Sequence, residues 1–520
     1  MSKYKAIVWK IWIILLLVGI LFVRIWHISK TPGLFSDEAM GGYNSWGLAN
    51  YGTDMWGNHN PVYLIAWGSG MNVLYPLIAV PFIKIMGLSV FSYRLPMIII
   101  STLVAVFSYF SFRKAQWSRW KISLTMVAVF LSPLMIMISR TAVESNLLPY
   151  LFILLFDVSL FLLNTQSEAG KRASLIGLVL VFGAMAYTYS SVWFVLPFLV
   201  LGVVGLLLKR HVISFKQALV SFVMLAIFVS PLLAFVARNY LHVPIKHFLF
   251  FSIPQLFELR SDASLVHGGI RDIISNMLQN MSMIYQGFDN HIWNSIPGIS
   301  SFFGTLIMFS AVGFLWAIKK WRDSEYAILI VMFLSAVPLS VLITPSLTHQ
   351  FSLIPTLLIL EGIGFAVVAE SNVGQQFAKI LSIILLIQSV MFVSAYQGST
   401  LKNDDGNIVT PLYLKSYLAQ QKGETYFSGT NNPYIYQMFY DPLNPKLFYS
   451  DSLISRSAFS NVSRINKRYY DLENHEIVEK IKKDGLVAIV PIQQGKEILE
   501  IDKTISMHVV GRFYIMGERK

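Results

Sequence analysis

Long apolar runs alternate with short polar breaks along most of this chain. A membrane-spanning helix needs about 20 mostly apolar residues. Runs of that order lie at 8–28, 93–112, 121–138, 148–164, 174–190, 192–208, 217–236, 301–318, 326–343, 351–369 and 378–395. The pattern predicts an α-helical polytopic membrane protein with about 11 transmembrane helices. One further run, "VLYPLIAVPFIKIMG" (73–87), is short and contains Pro76, Pro81 and Lys84. Charge decides how to read it. Lys and Arg in short loops mark the cytoplasmic side. The basic loops are "RKAQWSRWK" (113–121), "GKR" (170–172), "KRHVISFK" (209–216) and "KKWR" (319–322). With "MSKYK" inside, all four fall inside only if 73–87 does not span. It is therefore read as a juxtamembrane or re-entrant helix on the outer face.

That topology places four segments outside: 29–92, 139–147, 237–300 and 344–350. Beyond the last span a polar tail, 396–520, carries strand-like pieces ("GETYFSG", "GLVAIVPI", "VVGRFYIMGE") and an amphipathic helix ("HEIVEKIKKDG"). It reads as a small extracytoplasmic C-terminal α/β domain. The expected organisation is a membrane domain, 1–395, and an accessory domain, 396–520. The N-terminal run has no small-residue cleavage site after it and reads as an uncleaved first span.

Composition agrees. The chain is 55% hydrophobic and 13% charged, with a mean hydropathy of +0.58; soluble chains carry about 25% charged residues. The net charge of +13 follows from basic cytoplasmic loops. No basic segment is interleaved with aromatics away from a span, so nucleic acid is not an expected partner. The chain has no cysteine, which excludes disulfides, thiolate metal sites and a cysteine nucleophile.

Against this poverty of charge, an acid pair stands in the first outer segment, "GLFSDEAMGGYNSWGLANYG". Asp37 and Glu38 begin a predicted interfacial helix, which Ser36 or Asp37 would cap. A carboxylate at the lipid–water boundary also suits a general base for an incoming hydroxyl. A second outer turn, "SPLMIMISRTAVESN", brings Arg140 and Glu144. Lys84 and Arg94 are basic on the side where basic residues are rare. They either snorkel to headgroups or hold a substrate phosphate, with His349 in "TPSLTHQFSLIP" beside them. The aromatic-rich loops "DMWGNHNPVYLIAWGSG", with His59 and Tyr63, and "YQGFDNHIWNSIPGI" fit either an aromatic belt or sugar binding. No cofactor is implied, except that Asp37, Glu38 and Glu144 are oxygen donors suited to a divalent cation.

The order of an acid pair in the first outer loop, "WGNHNPVYLIAWGSGMNVLYPL", "GLSVFSYRLP" and "SPLMIMISRTAVESN" resembles the GT-C membrane glycosyltransferases. It is similar in particular to the dolichyl-phosphate-mannose–protein mannosyltransferase and aminoarabinose-transferase group, over about residues 8–400. The resemblance implies a GT-C-like fold, polyprenyl-phosphate-sugar donors, an extracytoplasmic acceptor and Asp37 as catalytic base, with Glu144 as the second-loop acid. Where many relatives carry Glu-Lys-Pro-Pro, this chain has "SGMNVLYP", and Lys84 or Arg94 takes the place of that lysine. A transporter of lipid-linked sugars is the alternative, suggested by Asp157 and Glu361 inside spans. A non-catalytic envelope assembly protein is a third reading.

Overall fold

The computed structural model describes the chain except for residues 1–2, 68, 260–268, 290–293, 297, 372–373, 403–408, 411, 420–422, 455–461 and 518–520. Among the described residues, eight helices are long and apolar enough to cross a membrane: Ala6–Ile25, Val90–Lys114, Glu144–Leu163, Glu168–Ala186, Val192–Lys209, Phe215–Tyr240, Ser324–Leu342 and Gly374–Gln397. A ninth is broken. Arg119–Phe130 and Pro133–Arg140 meet at an angle of 53°. Pro133 has no N–H and its ring clashes with the preceding turn, so the helix must restart there. The two remaining apolar runs form the shorter helices Leu306–Lys319 and Ile354–Ala369. Many spans leave apolar side chains such as Ile14, Leu15, Leu201 and Phe222 exposed. That is the surface a bilayer solvates and water does not.

The chain packs as two compact units. The first comprises Met1–Ile28, Pro96–Leu233 and Arg260–Ser399. Two of its helices meet at glycines: a Cβ on Gly313 would lie 2.0 Å from the Leu360 carbonyl oxygen, and one on Gly364 2.0 Å from that of Phe309. Small residues let apolar helices approach where no hydrophobic effect drives them together. The acids inside spans are tied across helices. Ser108 donates to Asp157, and Thr305 donates to Glu361 at 2.9 Å.

The second unit comprises Ser29–Leu95, Ala234–Leu259 and Thr400–Lys520. After the first span, α1 (Lys3–Ile25), come α2 (Ser36–Tyr51), α3 (Leu74–Met86) and α4 (Val90–Lys114). At 13 residues, α3 reaches only about 20 Å at 1.5 Å per residue, short of a hydrocarbon core of about 30 Å. It buries Tyr75, Pro76, Ala79 and Ile83 on one face and exposes Leu77, Ile85 and Met86 on the other.

The tail forms a seven-stranded sheet in the spatial order Met507–Val510, Phe513–Met516, Val487–Pro491, Thr425–Phe427, Arg468–Tyr469, Val462–Ile465 and Ser452–Ile454. Thr425–Phe427 runs parallel to both of its neighbours, and the other pairings are antiparallel. Helix Asn474–Asp484 buries Ile477 and Val478 against Leu486, Ala488, Val490, Ile498 and Met516. The expected strands and the amphipathic helix are thus all present. The tail is not separate from the first loop, however. Strand Val409–Thr410 pairs with Leu34–Phe35, immediately before α2.

Candidate active site

Helix α2 begins one residue earlier than a Ser36 cap would place it and two earlier than an Asp37 cap would. Phe35 is its N-cap, and the Phe35 N–H donates to Glu38 Oε2 at 3.2 Å. Glu38, three residues into the helix, is therefore the capping acid, not Ser36 or Asp37. Glu38 does more. Arg94 Nε donates to its Oε1 at 2.7 Å, and Arg94 Nη2 to its Oε2 at 2.6 Å. Both residues are 0% exposed. The same guanidinium reaches the carbonyl oxygens of Pro32 at 2.9 Å and Gly33 at 2.8 Å. Its planar fork thus ties α4 to the turn entering α2. Tyr440, from the tail helix Pro433–Tyr440, is near enough to feel both charges. Burial raises its pKa, the Arg94 charge lowers it and the Glu38 charge raises it.

Asp37 has a different environment. It is half-buried, and its Oδ1 accepts a hydrogen bond from Trp67 Nε1 at 2.8 Å. The two acids are adjacent in sequence and divided in role. One is buried in an ion pair that shapes the backbone, and the other reaches a partly accessible surface. Two glycines make this packing possible. A Cβ on Gly41 would come within 2.0 Å of the Tyr93 hydroxyl, and one on Gly42 within 2.5 Å of the Phe439 ring. Hence "AMGG" follows the acid pair. The Tyr43 hydroxyl donates to the Leu443 carbonyl at 2.7 Å, a further link between α2 and the tail.

The other predicted site residues of this unit divide likewise. Lys84 is exposed in the last turn of α3. His59 is exposed at the end of a tight turn. That turn is organised by Asp54, whose Oδ1 accepts from the N–H of Trp56 at 2.9 Å and of Asn58 at 2.8 Å. Burial pushes the Asp54 carboxyl up to about 6, against the lowering effect of those hydrogen bonds. Tyr63 is buried and stacks on Phe235 with ring centroids 4.4 Å apart. Arg94, expected at the headgroup level as a phosphate ligand, is instead in the interior.

Arg140, Glu144 and His349 belong to the first unit. Arg140 is 1% exposed. It donates to the carbonyls of Val23 at 2.7 Å, Arg24 at 3.1 Å and Trp26 at 2.8 Å. The first two are among the last carbonyls of α1, which have no intrahelical partner and carry the negative end of the helix dipole, and Trp26 follows just beyond the helix. Arg140 therefore closes the C-terminus of α1. Glu144 opens a 3-10 turn, Glu144–Leu147, and is half-buried. His349 Nδ1 lies 2.8 Å from the Thr344 carbonyl oxygen. Asp289 anchors the same loop by accepting from the Leu347 N–H at 2.9 Å, and also accepts from Asn294 Nδ2, in its own segment, at 2.8 Å. Residues 290–293 of the aromatic-rich loop lie outside the described residues.

Both Glu38 oxygens are engaged, Oε1 by Arg94 Nε and Oε2 by Arg94 Nη2 and the Phe35 N–H. Among the described residues no three His, Cys, Asp or Glu side chains group closely enough to hold a metal ion. Sequence reasoning missed Trp67, Tyr434 and Tyr440. Trp67 lies in a loop singled out for its aromatics, but nothing in the pattern separates it from Trp56. The tyrosines sit more than 300 residues downstream and carry no local signal.

Neither a family model nor a curated protein sequence matches the chain. Solved structures do. It is similar to ArnT, an aminoarabinose transferase, from Cupriavidus metallidurans. In the apo state the TM-score is 0.57, at 13% identity and with 98% of each chain covered. Bound to undecaprenyl phosphate, the TM-score is 0.60, again at 13% identity over 98% of each chain. It is also similar to the archaeal oligosaccharyltransferase AglB from Archaeoglobus fulgidus, with a TM-score of 0.50 and 11% identity over 85% of this chain and 64% of that one. The chain has the fold of the GT-C membrane glycosyltransferases.

Proposed function

We propose that this protein transfers a sugar from a polyprenyl-phosphate donor to an acceptor hydroxyl on the outer face of the cell membrane. Asp37 is the general base. The carrying observation is the divided acid pair: Glu38 is consumed by Arg94, and Asp37 is held by Trp67 at a partly accessible position. The fold supports the same reading, and the ArnT structure bound to undecaprenyl phosphate suggests the class of donor. A lipid-anchored donor keeps its anomeric carbon at the membrane surface, so the base must stand there too. In the reaction the acceptor oxygen bonds to the anomeric carbon and its proton passes to Asp37. The bond from that carbon to the phosphate oxygen breaks, and its electron pair leaves with the phosphate. Backside attack inverts the anomeric centre. Lys84, exposed at the end of α3, neutralises the departing phosphate. Arg94 and Arg140 do not serve this role, because both are buried and bind backbone carbonyls. His59 and Tyr63 border the sugar loop, the former at the surface and the latter as its packed base. Glu144 is the second-loop acid, with His349 on the third loop. The direct test is transfer from a radiolabelled polyprenyl-phosphate sugar by purified protein in detergent. Absence of donor consumption across lipid extracts from the native membrane would defeat the reading. Asp157 and Glu361, which suggested transport, are hydrogen-bonded to hydroxyls on other helical segments, as interhelical ties in membranes are.

The proposed orientation has the N-terminus and the basic loops inside, and the tail outside. The absence of native cysteine makes it directly testable. A single cysteine at Asn431, exposed in the tail, is expected to react with an impermeant maleimide on intact cells. One at Ala173, exposed near the "GKR" loop, is expected to react only after lysis. The reverse pattern would invert the topology.

The role of the tail also follows from packing. Val409–Thr410 pairs with the strand entering α2, and Phe439 lies against Gly42. Truncation after about residue 400 is therefore expected to abolish donor hydrolysis as well as transfer. Donor hydrolysis at wild-type rate by the truncated protein would make the tail an acceptor module only.

A further inference from the structure

We infer that Trp67 is the positioning residue of Asp37 and that Tyr434 of the tail sets the orientation of Trp67. The inference rests on Asp37 being the base. Asp37 lies on the first turn of α2 with a two-torsion side chain, and its carboxylate must present one oxygen to the acceptor. The indole N–H at 2.8 Å from Oδ1 fixes the carboxylate plane. An indole only donates, so it orients the anion without competing for the proton. Trp67 itself is held under constraint. Its backbone lies at φ +53°, a conformation that bulky residues rarely adopt. Persistence of such a conformation requires surrounding structure that over-determines it. The edge-to-face contact with Tyr434, with centroids 6.4 Å apart at 70°, supplies that support. Tyr434 is 2% exposed. It stacks on Phe448 at 6.0 Å and meets Tyr470 at 6.3 Å. An aromatic wall contributed by the tail thus backs the residue that aims the base. Residue 434 thereby bears on chemistry at residue 37.

The test is the pH dependence of kcat/KM for a radiolabelled polyprenyl-phosphate sugar, measured on the full-length protein. A hydrogen bond donated to a carboxylate favours its charged form. Trp67→Phe is therefore expected to move the acid limb up by about one pH unit and to lower the rate on that limb about tenfold, with donor KM unchanged. Among the described residues, the other titratable and charged groups around α2 are Glu38, paired with Arg94; Tyr51 of α2 and Tyr93 against Gly41; Arg468 and Tyr470, which act on Tyr43; and Tyr43, Tyr434 and Tyr440, which burial raises. Burial also pushes the Asp54 carboxyl up to about 6, so Asp54→Asn serves as the background in which the shift must persist. Replacing Trp67 with the isosteric benzothienylalanine removes only the N–H and is expected to give the same shift, even where Trp67→Phe folds poorly. Tyr434→Leu is expected to shift the limb in the same direction by less. If the limb stays in place in both Trp67 variants while Asp37→Asn is inactive, the inference fails and the base assignment stands. An active Asp37→Asn defeats both.

Discussion

Purified, folded Asp37→Asn is expected to lose roughly 10²–10⁴-fold in turnover, with donor affinity and melting temperature at wild-type values. The isosteric amide still accepts the Trp67 hydrogen bond at Oδ1, but it cannot take the acceptor's proton. The helix cap is untouched, because Glu38 and not Asp37 binds the Phe35 N–H. The cap is thus separate from Asp37, and a loss of activity in this variant cannot be assigned to a frayed helix. Added divalent cation is expected to leave the loss in place, since the neighbouring carboxylate is committed to Arg94. Near wild-type turnover, or restoration by a divalent ion, would overturn the base assignment.

Arg94→Ala is expected to act on folding and not on donor recognition. Removing one partner of a buried ion pair strands the other charge, at a cost of about 3–5 kcal/mol. Here Glu38 is 0% exposed, and the carbonyls of Pro32 and Gly33 lose their donors as well. The measurable result is a lower melting temperature and folded yield in detergent, with unchanged donor affinity in the fraction that folds. Arg94→Lys is expected to rescue little, because an ammonium cannot reproduce the four-acceptor fork. Replacing both partners, Glu38→Gln with Arg94→Met, is expected to cost less than Arg94→Ala alone. Lys84→Ala should show the opposite signature: weaker donor binding at unchanged melting temperature. A drop in donor affinity for Arg94→Ala at wild-type stability would return the phosphate to Arg94.

The contrast between these two acids shows where sequence reasoning ends. Hydrophobic run length determined the helices, because a bilayer demands about 20 apolar residues per crossing and satisfies backbone polarity within each segment. The charge in the loops gave 73–87 its reading as a non-spanning helix, and the segment forms a short apolar helix of 13 residues. Strand-like runs likewise marked Thr425–Phe427, Val487–Pro491 and the final pair Met507–Val510 and Phe513–Met516 in the tail. These signals are local and one-dimensional, so one chain suffices to read them. "Ser-Asp-Glu" marked a helix start and an acid pair at the membrane edge, but it could not say which acid is buried. That was decided by Arg94, 56 residues away, whose guanidinium satisfies Glu38 and two carbonyls at once. Arg140 was legible as a charge at a span end, but its partners are the last carbonyls of α1, more than 100 residues earlier. Trp67 and Tyr434 were invisible for the same reason. Aromatic residues are abundant in any membrane interface, and only packing selects the one whose N–H meets a carboxylate. Sequence by itself determined the apolar helices, strands of the tail and the position of the acid pair before α2. Tertiary structure decided the assignment of each charge, because the cost of a buried charge depends on which distant group is close enough to neutralise it.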